Sequence, residues 1–202
     1  MADSDSAAVR LRARGGEAAL GVDFRQQGDR IAHRVIVVDA DGEHAVLESL
    51  EGAGDQPWPP SPALQALNRD QLLAAVAGAN VAAALVGMSG RSHWSLGIEP
   101  ETRDGRPALL FDAACRVKQS AAATVGSTYR VLVDAQQPDS ATLRLSTPAG
   151  VLQLTALPAM AGAAMPALEL NGAACLIASP AADDVTPPVT LRWRYRVELL
   201  NR

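Results

Sequence analysis

The stretch Gly87-Met-Ser-Gly-Arg-Ser-His-Trp-Ser95 collects hydroxyls and an imidazole beside two glycines, the residue types from which hydrolases are built. A serine becomes a nucleophile when a histidine takes its proton and a carboxylate orients that histidine. Ser89, Ser92 and His93 are therefore the candidate catalytic residues, and Ser95, His93 and Asp112 can all lie on the outer face of the hairpin set out below. Three features weigh against this chemistry. Arg91 stands where a nucleophile elbow needs its second glycine, and a strand pattern rather than a helix follows. Along the outer face of that hairpin Ser95 falls between His93 and Asp112, whereas a triad needs the histidine in the middle. Arg116, opposite His93, would disfavour the imidazolium that a general base must become. The plainer account is a polar strand face beside Trp94, which points to the core.

Arginine supplies the second chemistry. Arg10, Arg12 and Arg14 alternate along one segment, and Arg192, Arg194 and Arg196 along another. Guanidinium groups on one strand face suit bidentate capture of carboxylate or phosphate. Were the two segments neighbours, six of them would form an anion-binding strip. The competing account is two solvated strand faces, partly neutralised by Glu17 and Glu198, that discourage edge pairing. Nucleic acid is the weaker partner. Only seven aromatic residues exist, and none is interleaved on the arginine faces for stacking.

No cofactor and no metal site is expected. The chain has neither a phosphate loop nor a dinucleotide fingerprint, and Cys115 and Cys175 lack zinc spacing. Of three histidines, His33 and His44 share a face but lie too far apart for one metal. His33 beside Phe24 reads as a hydrogen-bonded histidine at the core margin. Asp39-Ala-Asp41-Gly42 begins like a calcium loop, yet lacks the later ligands and reads as a hairpin turn. Trp58, among prolines, reads as a core plug rather than a docking aromatic.

The elements that must position these residues follow from alternation interrupted by turn dipeptides. A turn at Gly15-Gly16 places Leu11 opposite Leu20 and Val9 opposite Val22, with the three arginines opposite Gly21, Ala19 and Glu17. A turn at Gly28-Asp29 places Phe24, Val22 and Leu20 opposite His33, Val35 and Val37, and pairs Asp23 with Arg34 on the other face. A turn at Asp41-Gly42 sets Val37 opposite Val46. These three turns keep one apolar face, which a one-residue slip would destroy. Further on, Asp104-Gly105 sets Ile98, Leu96 and Trp94 opposite Phe111, Ala113 and Cys115. Strands are predicted at 127–134, 141–147 and 151–157, with Leu145 facing Leu152. A hairpin at Asn171-Gly172 and a closing strand at 189–200 complete the pattern, and Pro158 to Pro166 reads as a loop.

Residues 52–62 form a stiff connector rich in proline, after which Ser61-Pro62 and the leucines that follow predict a short helical segment near 62–77. The fold class is mainly β: an antiparallel β-sandwich or barrel-like meander of about a dozen strands, residues 1–202 forming a single domain. Its sheet block 8–51 and sheet block 81–202, joined by the connector and helix at 52–80, are either the two sheets of one sandwich or two subdomains. The two sheets are favoured, because a meander with one apolar face needs something to cover it. The net charge of -4 argues against a protein that coats nucleic acid or anionic lipid. The acidic N-terminus lacks an apolar signal region, and no apolar run reaches membrane-spanning length. A cytoplasmic setting with two buried free thiols is expected.

Pro57-Trp-Pro-Pro-Ser-Pro62, the Gly87–Ser95 stretch and Phe111-Asp-Ala-Ala-Cys-Arg-Val117 together resemble an uncharacterised group of bacterial proteins over residues 57–118. That resemblance implies no activity. The residues themselves favour a non-enzymatic binding or assembly module whose arginine faces take an acidic protein or a phosphate-bearing ligand. A hydrolase using the Gly87–Ser95 loop is the alternative.

Overall fold

The structure, a computed structural model, describes residues 9–15, 17–54, 56–68, 83–118, 124–180 and 187–200. Fifteen strands are found there: β1 (Val9–Gly15), β2 (Ala18–Gln27), β3 (Arg30–Asp39), β4 (Gly42–Ser49), β5 (Ala66–Leu67), β6 (Ala83–Ser89), β7 (Ser92–Arg103), β8 (Arg106–Val117), β9 (Gly126–Val131), β10 (Ala135–Asp139), β11 (Thr142–Thr147), β12 (Gly150–Leu157), β13 (Ala167–Asn171), β14 (Ala174–Ala178) and β15 (Val189–Leu200). They form two antiparallel sheets in a sandwich-like arrangement that does not close into a barrel. The first sheet runs β1-β2-β3-β4-β9-β14-β13 and the second β10-β11-β12-β15-β8-β7-β6-β5.

The two sequence blocks are therefore not the two sheets. The first four strands do form a meander, but β9 and the β13–β14 hairpin from the later block extend it. The expected helix is also corrected at its start. Residues 62–65 carry no regular structure and Ala66–Leu67 pairs with β6. Ser61 Oγ does not cap a helix: it donates to Thr128 O at 2.8 Å and accepts from Thr128 N at 3.1 Å. The remaining stretch, from residue 69, lies outside the described residues.

Alternation along a strand decides which of its side chains face the core. Leu11, Leu20, Val22, Val35 and Val37 of the first sheet face Phe111, Ala113, Trp193, Tyr195 and Val197 of the second within one apolar cluster. Burying an aliphatic or aromatic side chain contributes roughly 1.5–3 kcal/mol, so the inner faces dominate stability. Both sides of the sandwich are sealed by contacts between sheets. On one, Thr102 Oγ1 donates to Arg14 O at 3.2 Å. There a Cβ on Gly15 would lie 2.6 Å from Gly105 O, so only glycine fits. On the other, Gln137 of β10 holds the free edge of β13, donating to Leu168 O at 2.7 Å and accepting from Leu170 N at 2.9 Å. Edges tied down in this way are poor templates for a further strand.

The registers at Gly28-Asp29, Asp104-Gly105 and Pro148-Ala149 are those expected. Two others differ by two residues, which preserves the face and changes the partner. β1 closes on β2 with Gly15 opposite Ala18, so Leu11 meets Val22 and Arg10 meets Asp23. β3 closes on β4 with Asp39 opposite Gly42, so Val37 meets His44, and a bulge then leaves Val46 as the extra residue. Asp39 Oδ1 accepts from the backbone N–H groups of Asp41 and Gly42, at 2.9 and 3.1 Å, which makes that acidic stretch a hairpin turn.

Candidate functional site

The hydrolase candidates are not brought together. Ser89 and Ser92 are buried on the inner side of the β6–β7 hairpin, whereas His93 is exposed on the outer side. Ser89 Oγ donates to Gln56 O at 2.6 Å. The His93 ring accepts from Lys118, Nζ to Nε2 being 2.8 Å. Asp112 is engaged by Arg192, at 2.7 and 2.5 Å, and by Arg194 at 3.3 Å. Gly87 has a packing role. A Cβ there would fall 2.0 Å from Ala63 O, because the connector crosses directly over β6.

The two arginine strands lie in different sheets, so the six-arginine strip is not formed. In the first, Arg10 holds Asp23 through Nε at 2.5 Å and Nη2 at 3.0 Å, and also contacts Glu43. Hydrogen bonding to Asp23 chiefly raises the Arg10 pKa above its ordinary value. Arg12 reaches Glu43 at 3.0 Å. Arg14 is exposed and has no side-chain partner among the described residues. Asp23 does not pair with Arg34, which instead donates to Glu48 at 2.8 Å. Arg10, Asp23, Arg34, Glu48 and Arg130 stand directly opposite one another on β1, β2, β3, β4 and β9, a row of alternating charge across five strands. Arg130 closes that row on Glu48 at 3.3 Å.

The second sheet differs along its length. Towards one end Arg196 donates to Glu101 at 2.9 Å and Arg106 lies 3.0 Å from Glu198. The first pair spans β8 and the second joins β8 to β15, and the outward-facing Ala108 and Leu110 of β8 are buried there. The other end carries Arg116, Lys118, Arg192 and Arg194, with Asp112 as the carboxylate among them. Arg116 is opposite both His93 and Thr190, is exposed, and has no side-chain partner among the described residues. Arg91 sits in the adjoining β6–β7 turn. Sequence reasoning did not single out Arg116, on β8, or Lys118, just past its end, although both lie at even spacing from the outward-facing Asp112 and can be counted from it.

Inside the sandwich a polar chain joins the sheets. His33 Nε2 lies 2.7 Å from Tyr129 Oη, and Tyr129 Oη 2.5 Å from Tyr195 Oη. Trp193 Nε1 donates to Ser127 Oγ at 2.9 Å. Ser49 Oγ accepts from the His33 backbone N–H and donates to Glu51. Burial lowers the His33 pKa to about 4 and raises that of Glu51 to about 7. Arg30, buried beside Glu51, donates to Gly54 O and Met88 O at 3.2 and 3.4 Å, tying β3 to the connector and to β6. This chain crosslinks the two layers. Cys115 and Cys175 are free and buried, each thiol pushed up to about 12 by burial. Trp58 packs against the core, as a plug would. Among the described residues no group of three or more His, Cys, Asp or Glu could hold a metal ion, and no helix is long and apolar enough to cross a membrane.

The architecture thus defines a two-sheet antiparallel β protein with a cationic end on one outer face. No protein-family model, curated protein or solved structure matches the chain.

Proposed function

We propose that this protein is a binding module that takes an anionic partner on the outer face of its second sheet, at the end bearing His93, Arg116, Lys118, Arg192 and Arg194. The observation that carries this reading is Arg116: an exposed guanidinium with no side-chain partner among the described residues, set beside Lys118 and the arginines that share Asp112. Like charges held together at a surface attract a counter-charge and speed its encounter. The anionic group is a carboxylate or a phosphate. A hydrolase would need Ser89 or Ser92 on the same face as His93, and they lie on opposite faces. A cytoplasmic setting belongs to this reading, because both thiols are unpaired.

Titration of the protein with poly-glutamate, followed by calorimetry, tests the proposal. Binding that weakens with salt and is lost in Arg116→Glu is expected. Binding that is absent at low salt, or indifferent to that substitution, would refute it.

A further inference from the structure

The cationic end is flanked by uncovered apolar side chains. On β6, Val86 is 54% exposed and Met88 is 45% exposed. Both belong to rows that continue into the cations. Met88 lies opposite His93, then Arg116; Val86 lies opposite Ser95, then Ala114 and Arg192. Adjacent strands are about 4.8 Å apart, so Met88 stands roughly 10 Å from Arg116 and Val86 roughly 14 Å from Arg192. An extended chain covers those distances in about three to four residues.

Resting on the anion-binding reading, we infer that the partner is an acidic peptide segment carrying an apolar side chain about three or four residues from its carboxylates. Free phosphate would use the arginines and leave Val86 and Met88 in water. An acidic segment with an apolar residue satisfies both, since its carboxylates match the charge of Arg116, Lys118 and Arg192 while its apolar group covers β6. A lipid surface fits less well. The same outer face carries Glu99, Glu101 and Asp112, which an anionic headgroup layer would repel, and the exposed apolar side chains beside the cations, Val86 and Met88, lie on a single strand.

The test compares poly-glutamate with a random 4:1 glutamate–tyrosine copolymer of equal length, using wild type, Arg116→Glu and the double variant Val86→Ser/Met88→Ser. Both serines replace exposed side chains, and circular dichroism confirms that the variant is folded. The expected result is about tenfold tighter binding of the copolymer by wild type. That preference should vanish in the double variant, whose affinity for poly-glutamate stays as in wild type. Equal binding of both polymers by wild type would overturn the inference and leave anion binding standing. Binding of neither polymer would overturn both. Binding of phosphatidylglycerol vesicles that depends on Met88, without a copolymer preference, would overturn it in favour of a membrane.

Discussion

β1 and β15 carry the same sequence device, arginine at every second position three times over, yet they produce opposite surfaces. β1 is an edge strand whose one neighbour presents Asp23, and the row through Arg10 alternates in sign as far as Arg130. Along that row charge is cancelled strand by strand, and only Arg14 of the three β1 arginines has no side-chain partner among the described residues. β15 is interior to its sheet, and the rows through its Thr190 and Arg192 hold Arg116, His93, Ala114 and Ser95 rather than carboxylates. Asp112 must serve both Arg192 and Arg194, and Arg116 is left over. The lesson is that a charged strand face has no field of its own. Its field is set by what the neighbouring strands place in the same row.

The largest expected effect separates the two carboxylates. The Asp23 side chain is 8% exposed and takes two hydrogen bonds from Arg10, whereas that of Asp112 is 26% exposed. Asp23→Ala should cost about 2 kcal/mol in chemical denaturation, because a half-buried guanidinium loses a charged partner. Asp112→Ala should cost within about 0.5 kcal/mol. Equal losses would break the contrast between the faces.

The interior must be subtracted before pH is used on either surface. Glu51 has a folded pKa of about 7 against an ordinary 4.5, so its contribution is fully present below pH 4.5 and is lost as pH rises to 7. His33, at about 4 against 6.5, acts oppositely: its contribution is present above pH 6.5 and is lost as pH falls to 4. Between pH 4.5 and 6.5 the two oppose each other. Glu51→Gln should therefore turn the dependence on pH upward across that window, by on the order of 1 kcal/mol. An unchanged slope in denaturation curves taken at several pH values would show that Glu51 does not titrate there.

A smaller contrast concerns binding. Arg116→Glu should weaken poly-glutamate about tenfold, while Arg14→Glu, on the neutralised sheet, should change it less than about twofold. Comparable losses would place the anion elsewhere. Smallest of all, raising salt from about 0.05 to 0.5 M should shift stability by less than about 0.5 kcal/mol while clearly weakening the poly-glutamate complex.

Much of the local architecture was legible. Two-residue turns with glycine or aspartate set the β2–β3 and β7–β8 registers, since both the reversal and the alternation lie within a short span. Gly15-Gly16 sets the correct face but a partner two residues away, and that shift puts Asp23 rather than Gly21 opposite Arg10. The helix expected from residue 62 failed at its start because Ser61 and Pro60 are spent on Thr128, a residue remote in sequence. β10, with Gln136, Gln137 and Pro138, gives no apolar alternation, and the two-residue β5 gives almost no pattern at all. The Gly87–Ser95 stretch resembled a site by composition, but parity puts its serines and its histidine on opposite faces.

Alternation in the sequence alone determined which side chains of each strand point inward, because a strand has period two whatever it pairs with. Tertiary structure decided the rest: that β9 joins β4, that β15 lies between β12 and β8, and hence that Arg10 meets a carboxylate while Arg116 does not. Strand order is set by burying two whole faces together, and no local preference within β1 or β15 encodes the charges of neighbours up to 95 residues away.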